Sequence, residues 1–212
     1  IAAIEAGLIE TEELINCGGF LEVGERRFHC WNSSGHGDMD LIGGLRESCD
    51  VYYYNLALRV GIKRISDTAK KFGIGILFPL PLSAVSKGFM PSKNWKLTQI
   101  KEKWVPGDTL NSGIGQGFVL STPLQIAVMT ARLATGLEIK PTLVKAIDGK
   151  PINRNKKPAL KILDSTFSLI RNAMFSVVND KKGTAYKSRV IDEKKILAGK
   201  TGTSQIRVIT ES

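Results

Sequence analysis

Residues 47–54 read Glu47-Ser48-Cys49-Asp50-Val51-Tyr52-Tyr53-Tyr54, and 150 residues further on the chain reads Lys200-Thr201-Gly202-Thr203. The first stretch opens a helix: Ser48 stands two residues before an acid that suits the first turn, and Val51, Tyr54 and Leu58 recur at helical spacing. The second sits in Ile196–Ile209, which alternates enough to predict a strand. A serine before an acid is by itself most often a helix cap, and Lys-Thr-Gly-Thr alone is a common turn. Together and in this order they suggest acyl transfer. A serine attacks an amide, a lysine takes its proton, and a second serine with another lysine relays protons to the leaving amine. Gly202 lets a substrate backbone lie against the strand, and the hydroxyls of Thr201 and Thr203 can hold a carboxylate.

Cysteine and histidine cluster on the N-terminal side of this serine. Cys17, Cys30, His36 and Cys49 form a Cys-x12-Cys-x5-His-x12-Cys pattern. Three thiolates and one imidazole fill the tetrahedral shell of a structural zinc and leave no position for water. The pattern lacks a tight Cys-x2-Cys knuckle, so one disulfide with a spare thiol, or three buried cysteines acting as small hydrophobes, remain open readings. His29 competes with His36 as the fourth ligand, although adjacency to Cys30 makes joint ligation awkward. A metal here can supply on the order of 10 kcal/mol to folding. The surrounding acidic loop region, residues 8–49, has little periodic apolar sequence of its own.

The other elements are marked by caps and stops. Residues 1–7 read as the end of a helix closed by Gly7, and the helix from Asp50 should end at Gly61. A short helix is predicted over 66–72, capped by Ser66. Residues 74–118 carry Pro79, Pro81, Pro91 and Pro106 without periodicity and predict long irregular connections. Thr122-Pro123-Leu124-Gln125 is a capping box opening a helix that ends at Gly136, with Leu124, Ala127, Val128, Ala131 and Ala134 as its apolar face. A further helix runs from Asp164 or Ser165 to about Val178.

Composition bounds the class. The 212 residues are 42% hydrophobic, enough for one domain with a sizeable core, and no apolar run reaches membrane-span length. The net charge of +10 hides an asymmetry: residues 1–50 carry −7 and residues 51–212 carry +17. The lysines are scattered without interleaved aromatics, so a solvated basic surface is expected and nucleic acid is not. Gly113-x-Gly115-x-Gly117 has the wrong spacing for a dinucleotide loop.

The ordered set Glu47–Tyr54, Gly113-Ile114-Gly115-Gln116-Gly117, Ser121-Thr122-Pro123-Leu124-Gln125, Gly183-Thr184-Ala185 and Lys200-Thr201-Gly202-Thr203 resembles the class B penicillin-binding transpeptidases over essentially the whole chain. Gly88-Phe89-Met90-Pro91 and Trp104-Val105-Pro106-Gly107-Asp108 resemble the elongation-specific branch. The resemblance implies an α+β (mixed) penicillin-binding protein transpeptidase, or serine β-lactamase-like, fold with an antiparallel central sheet flanked by helices. Residues 1–212 would be a partial transpeptidase domain, truncated at both ends, with 8–49 as a zinc-binding loop region.

It assigns Ser48, Asp50 and Lys200 to catalysis: Ser48 as the middle-motif proton relay, Asp50 where many relatives have Asn, and Lys200 as its electrostatic support. It assigns Thr201, Gly202 and Thr203 to substrate binding, with the N–H of Thr203 as half of an oxyanion hole. It also places one zinc on Cys17, Cys30, His36 and Cys49; two of these positions are aspartate in some relatives, so the set here is softer. The implied ligands are peptidoglycan stem peptides and β-lactams. The implied partners are cell-elongation polymerase and scaffold proteins, and the implied place is the periplasmic face of the bacterial inner membrane. The nucleophile motif Ser-x-x-Lys is expected a few residues before Ile1 and does not occur near the start of the chain, so the chain alone is expected to be inactive. Two alternatives stay open: a zinc-stabilised binding module using a basic face, and a β-lactamase or β-lactam sensor on the same fold.

Overall fold

The computed structural model describes residues 1–82, 84–152, 157–192 and 195–204. Helix α1 (Ala2–Glu5) is followed by four short strands, β1 (Ile15–Cys17), β2 (Phe20–Val23), β3 (Arg26–His29) and β4 (Gly37–Met39), and then by α2 (Leu41–Arg46) and α3 (Asp50–Lys71). Next come the one-turn α4 (Lys93–Trp95), running into a π turn at Lys96–Ile100, then α5 (Pro106–Gly113) and α6 (Pro123–Thr135). A two-residue hairpin, β5 (Ala146–Ile147) and β6 (Lys150–Pro151), precedes α7 (Asp164–Asn179) and a 3-10 turn at Tyr186–Ser188.

The segment expected to be loop is thus built of tight antiparallel pairs. β1 pairs with β4 from Ile15↔Met39 to Cys17↔Gly37, and β2 pairs with β3 from Phe20↔His29 to Val23↔Arg26. Strand pairing satisfies backbone groups that a buried loop would leave orphaned, which is how so polar a segment lies against the core. Cys17, Cys30 and Cys49 are themselves core residues, packed with Val51, Tyr52, Tyr54 and Leu110.

The expected helix breaks are partly real. α3 continues through Gly61 with a kink there (φ 75°, ψ 154°), and its second half begins at Ile62, not Ser66. Ser66 is buried inside the helix and caps nothing. Leu58, at helical spacing from Val51 and Tyr54, is 42% exposed, and the buried stripe runs through Val51, Tyr52, Tyr54, Ala57 and Val60. In α6 the Thr122–Gln125 capping box forms as predicted, but the buried face centres on Gln125, Val128 and Arg132. The two polar members are buried because they satisfy carbonyls of neighbouring loops and of the end of α3. Gln125 Nε2 donates to Ile76 O and Lys87 O, and Arg132 donates to Lys71 O and Ile139 O.

Residues 74–118 are less irregular than their prolines suggest. Pro106 stands at the first turn of α5, where a missing N–H costs nothing, and Asp108 accepts from Val105 N–H and from the buried Lys96 ammonium. α5 lies close against α3 because its last residue is glycine: a Cβ on Gly113 would come within 2.5 Å of Ala57 Cβ. α7 packs on α2, and Arg46 joins them through Asp180 at 3.2 Å.

Strands among the described residues form three two-stranded antiparallel pairs. The strand read over 196–209 is not present in its described part, residues 196–204; from 205 on it lies outside the described residues. A strand needs a neighbour for its backbone hydrogen bonds. Here this segment is held by a helix instead, with Gly199 N–H donating to Met174 O and Asn179 donating to Leu197 O. Among the described residues no helix is long and apolar enough to cross a membrane.

Candidate active site and metal centre

Ser48 occupies the turn between α2 and α3. α2 ends with Glu47 N–H on Gly43 O and Cys49 N–H on Gly44 O, and Ser48 takes the left-handed conformation (φ 57°) that reverses the chain into α3. The Cys49 sulfur then caps α3 by accepting from Tyr52 N–H at 3.4 Å. The Ser48 hydroxyl opens into a cleft of about 940 Å³ lined also by Trp31, Asp50, Gln116, Thr184 and the segment Lys200-Thr201-Gly202-Thr203.

Across the cleft the Lys200 ammonium donates to Ser48 Oγ at 2.7 Å and to Thr201 Oγ1 at 2.9 Å. Partial burial holds the Lys200 pKa below its ordinary value, and the Asp50 carboxylate acts against that shift. Thr201 Oγ1 also lies 3.1 Å from Thr184 Oγ1. Gln116 Nε2 donates to Thr203 O at 3.0 Å, so the 113–117 glycine loop fixes the far end of the same segment. A Cβ built on Gly202 meets no atom within 4 Å. The space beside it belongs to the cleft, not to packing. The cleft therefore presents a lysine-bonded serine hydroxyl, two threonine hydroxyls and an open backbone stretch.

The second centre lies directly behind Ser48. The ligand atoms of Cys17, Cys30, His36 and Cys49 all fall within 4.8 Å of one another. His36 Nδ1 is 3.6 Å from Cys17 Sγ and 3.5 Å from Cys30 Sγ. Backbone contacts build this convergence: His36 N–H donates to Cys17 O, and Cys30 N–H donates to Gly19 O. The loop can close this tightly because residue 35 is glycine at φ 81°, where a Cβ would stand 2.3 Å from Cys17 O. His36, not His29, joins the three thiols; His29 ends β3 with its ring against Phe20 and borders the cleft. No disulfide joins the cysteines. Burial pushes the Cys30 and Cys49 thiols above their ordinary pKa, with the neighbouring cysteines adding to it.

The donor set fits a tetrahedral ion. Bonds of about 2.3 Å to sulfur and about 2.0 Å to nitrogen put ligand atoms ~3.5–3.8 Å apart, the separation seen between His36 and its two thiols. A bound cation reverses the cost of ionising three crowded thiols.

Every member of the Ser48–Lys200 and Cys17–Cys49 sets is legible in the sequence, and the structure brings both sets together. Trp31, whose indole N–H donates to Glu47 O and Ser48 O at 3.0 Å each, is not. Gln116 and Thr184 stand out in the sequence only as parts of motifs. Trp31 carries no local signal beyond adjacency to Cys30.

A helix-start serine paired across a cleft with a Lys-Thr-Gly segment defines a domain of the penicillin-binding, serine β-lactamase-like fold. The chain belongs to the penicillin binding protein transpeptidase domain family, whose pattern it matches over residues 1–209. It is 35% identical over 193 residues to the peptidoglycan D,D-transpeptidase MrdA of Haemophilus influenzae, covering 88% of this chain and 30% of that protein. It is 32% identical over 214 residues to MrdA of Escherichia coli K12, covering 97% and 34%. The chain thus spans about a third of the length of these relatives. Among solved structures it superposes on Pseudomonas aeruginosa PBP2 in complex with WCK 5153 (TM-score 0.88, 33% identity, 97% of this chain and 48% of that one). It likewise superposes on Helicobacter pylori PBP2 in complex with MreC (TM-score 0.85, 34% identity, 97% and 38%).

Proposed function

We propose that this chain is part of a peptidoglycan D,D-transpeptidase of the penicillin-binding protein 2 type, crosslinking stem peptides that end in D-Ala-D-Ala. The observation that carries the reading is the 2.7 Å bond from Lys200 Nζ to Ser48 Oγ, in a cleft that also presents Thr201 and Thr203. Ser48 relays a proton between the nucleophile and the leaving amine, and the Lys200 ammonium stabilises the oxygen as its proton moves. The hydroxyls of Thr201 and Thr203 hold the terminal carboxylate of the substrate or of a β-lactam. Open space at Gly202 admits the substrate backbone, and the Thr203 N–H contributes half of the oxyanion hole. Asp50 favours the charged form of Lys200 against its burial. The nucleophilic serine comes from a Ser-x-x-Lys motif N-terminal to Ile1, which makes residues 1–212 a partial transpeptidase domain.

Zinc is the metal that suits Cys17, Cys30, His36 and Cys49. It fills its shell there and offers no reacting position, so its part is structural: the 8–49 region is fixed around it, and Cys49 anchors the residue next to Ser48. The relatives support the setting. The PBP2 of H. pylori is solved with MreC, and a 30% identical neighbour belongs to a structure described as coordinating polymerization and crosslinking in a peptidoglycan synthase complex. This chain's full protein accordingly works with scaffold and polymerase partners at the periplasmic face of the inner membrane.

The test is acylation by a fluorescent penicillin of a chain extended upstream through the Ser-x-x-Lys motif. Stable labelling that disappears when that motif's serine becomes alanine is the expected result. No serine-dependent label, with the protein folded, overturns the reading.

A further inference from the structure

Trp31 is an exposed aromatic residue held by hydrogen bonds. It is 63% exposed on the cleft wall, so its ring gains little from burial. Three polar contacts nevertheless fix it around the Ser48 turn. The indole N–H is shared between Glu47 O and Ser48 O, both at 3.0 Å, and the Trp31 backbone N–H donates to Asp50 Oδ2 at 2.9 Å. Its ring stands edge-on to His36, with centroids 5.3 Å apart.

Backbone bonds close this turn from below, Ser48 N–H to Leu45 O and Cys49 N–H to Gly44 O, and Trp31 adds a side-chain clamp on its outward carbonyls. Ser48 is one of three non-glycine residues at positive φ among the described residues, a conformation that persists only where surroundings impose it. The carbonyls of Glu47 and Ser48 lie past the last turn of α2, where helix ends leave acceptors without intrahelical partners. One indole N–H satisfies both, while the backbone N–H of the same residue pins the first acid of α3. Trp31 thereby ties together the two sides of the turn whose hydroxyl faces Lys200.

We propose that Trp31 is the positioning residue for Ser48, holding the left-handed turn that aims the Ser48 hydroxyl at Lys200. It acts through the turn and takes no part in proton transfer. Through Cys30 on one side and its ring contact with His36, it also couples the cysteine–histidine cluster to the cleft. For the rate measurement the proposal rests on the transpeptidase reading; for backbone protection it does not.

Trp31→Phe keeps an aromatic edge for His36 and removes only the donor. In the upstream-extended chain, saturation kinetics with a fluorescent penicillin separate non-covalent affinity from the limiting acylation rate. Trp31→Phe should lower the limiting rate roughly tenfold and leave the affinity within about twofold, the pattern of a misplaced relay group. An unchanged rate overturns the proposal, and so does weakened affinity at constant rate, which would make Trp31 a ligand contact. Independently of any acylation, hydrogen exchange of the Ser48 and Cys49 amides, bonded to Leu45 O and Gly44 O, should quicken at least severalfold in Trp31→Phe, while amides in the second half of α3 stay protected. Equal protection in both proteins overturns the clamp even if the chain never reacts with a penicillin.

Discussion

Lys200 Nζ and Ser48 Oγ, 152 residues apart in sequence, meet at 2.7 Å across the cleft. If this bond stabilises the oxygen during proton relay, Lys200→Ala in the upstream-extended chain should slow penicillin acylation by about 10²–10³-fold. Ser48→Ala should slow it on a similar scale. The double variant should lose little more than either alone, because paired groups act as a unit. Multiplicative losses in stopped-flow labelling would show that the two residues work separately.

The same lysine predicts a pH profile. Burial lowers its pKa, so the ammonium is lost at a lower pH than for an ordinary lysine. Acylation that depends on the charged form is therefore full on the acid side of that pKa and falls as pH rises through it. Asp50 opposes the shift, so Asp50→Asn should move the alkaline limb to still lower pH while its side-chain oxygen keeps the Trp31 N–H bond. A limb that stays in place or moves up would contradict the assignment.

Metal content is measured directly. Protein purified without chelator should carry about one equivalent of zinc by elemental analysis, and Cys30→Ser should carry well under half. Stripping the metal should lower the melting temperature by roughly 10 °C or more, reversed by added zinc. Less than half an equivalent in the unaltered protein would argue against the site.

Gln125 offers a test remote from the cleft. It is almost completely buried, and its amide satisfies Ile76 O and Lys87 O while its oxygen accepts from Thr122 N–H. Gln125→Ala leaves those groups unpaired and should cost about 2–3 kcal/mol, or ~5–10 °C in melting temperature. A change under 1 kcal/mol in denaturant unfolding would mean that water replaces the amide easily.

The sequence alone determined what depends on neighbouring residues. Thr122 and Gln125 cap α6, Gly136 ends it, and α7 runs within a residue or two of its expected bounds, because caps and stops act over one helical turn. The members of both sites were legible for another reason: three thiols and an imidazole suit a tetrahedral metal by type, and the Ser48 and Lys200 motifs matched a family by their order. Tertiary structure decided what depends on distant partners. It chose His36 over His29, since the β1–β4 pairing and the Cys17–His36 backbone bond bring only His36 to the thiols. It made Gln125 and Arg132 core residues, because the carbonyls of Ile76, Lys87 and Lys71 that they satisfy lie on segments remote in sequence. It held Leu197 and Gly199 against α7 without strand pairing, and it placed Trp31 over Ser48. Hydrogen bonds between remote segments leave no periodicity in either one, so these relations exist only once the chain has folded.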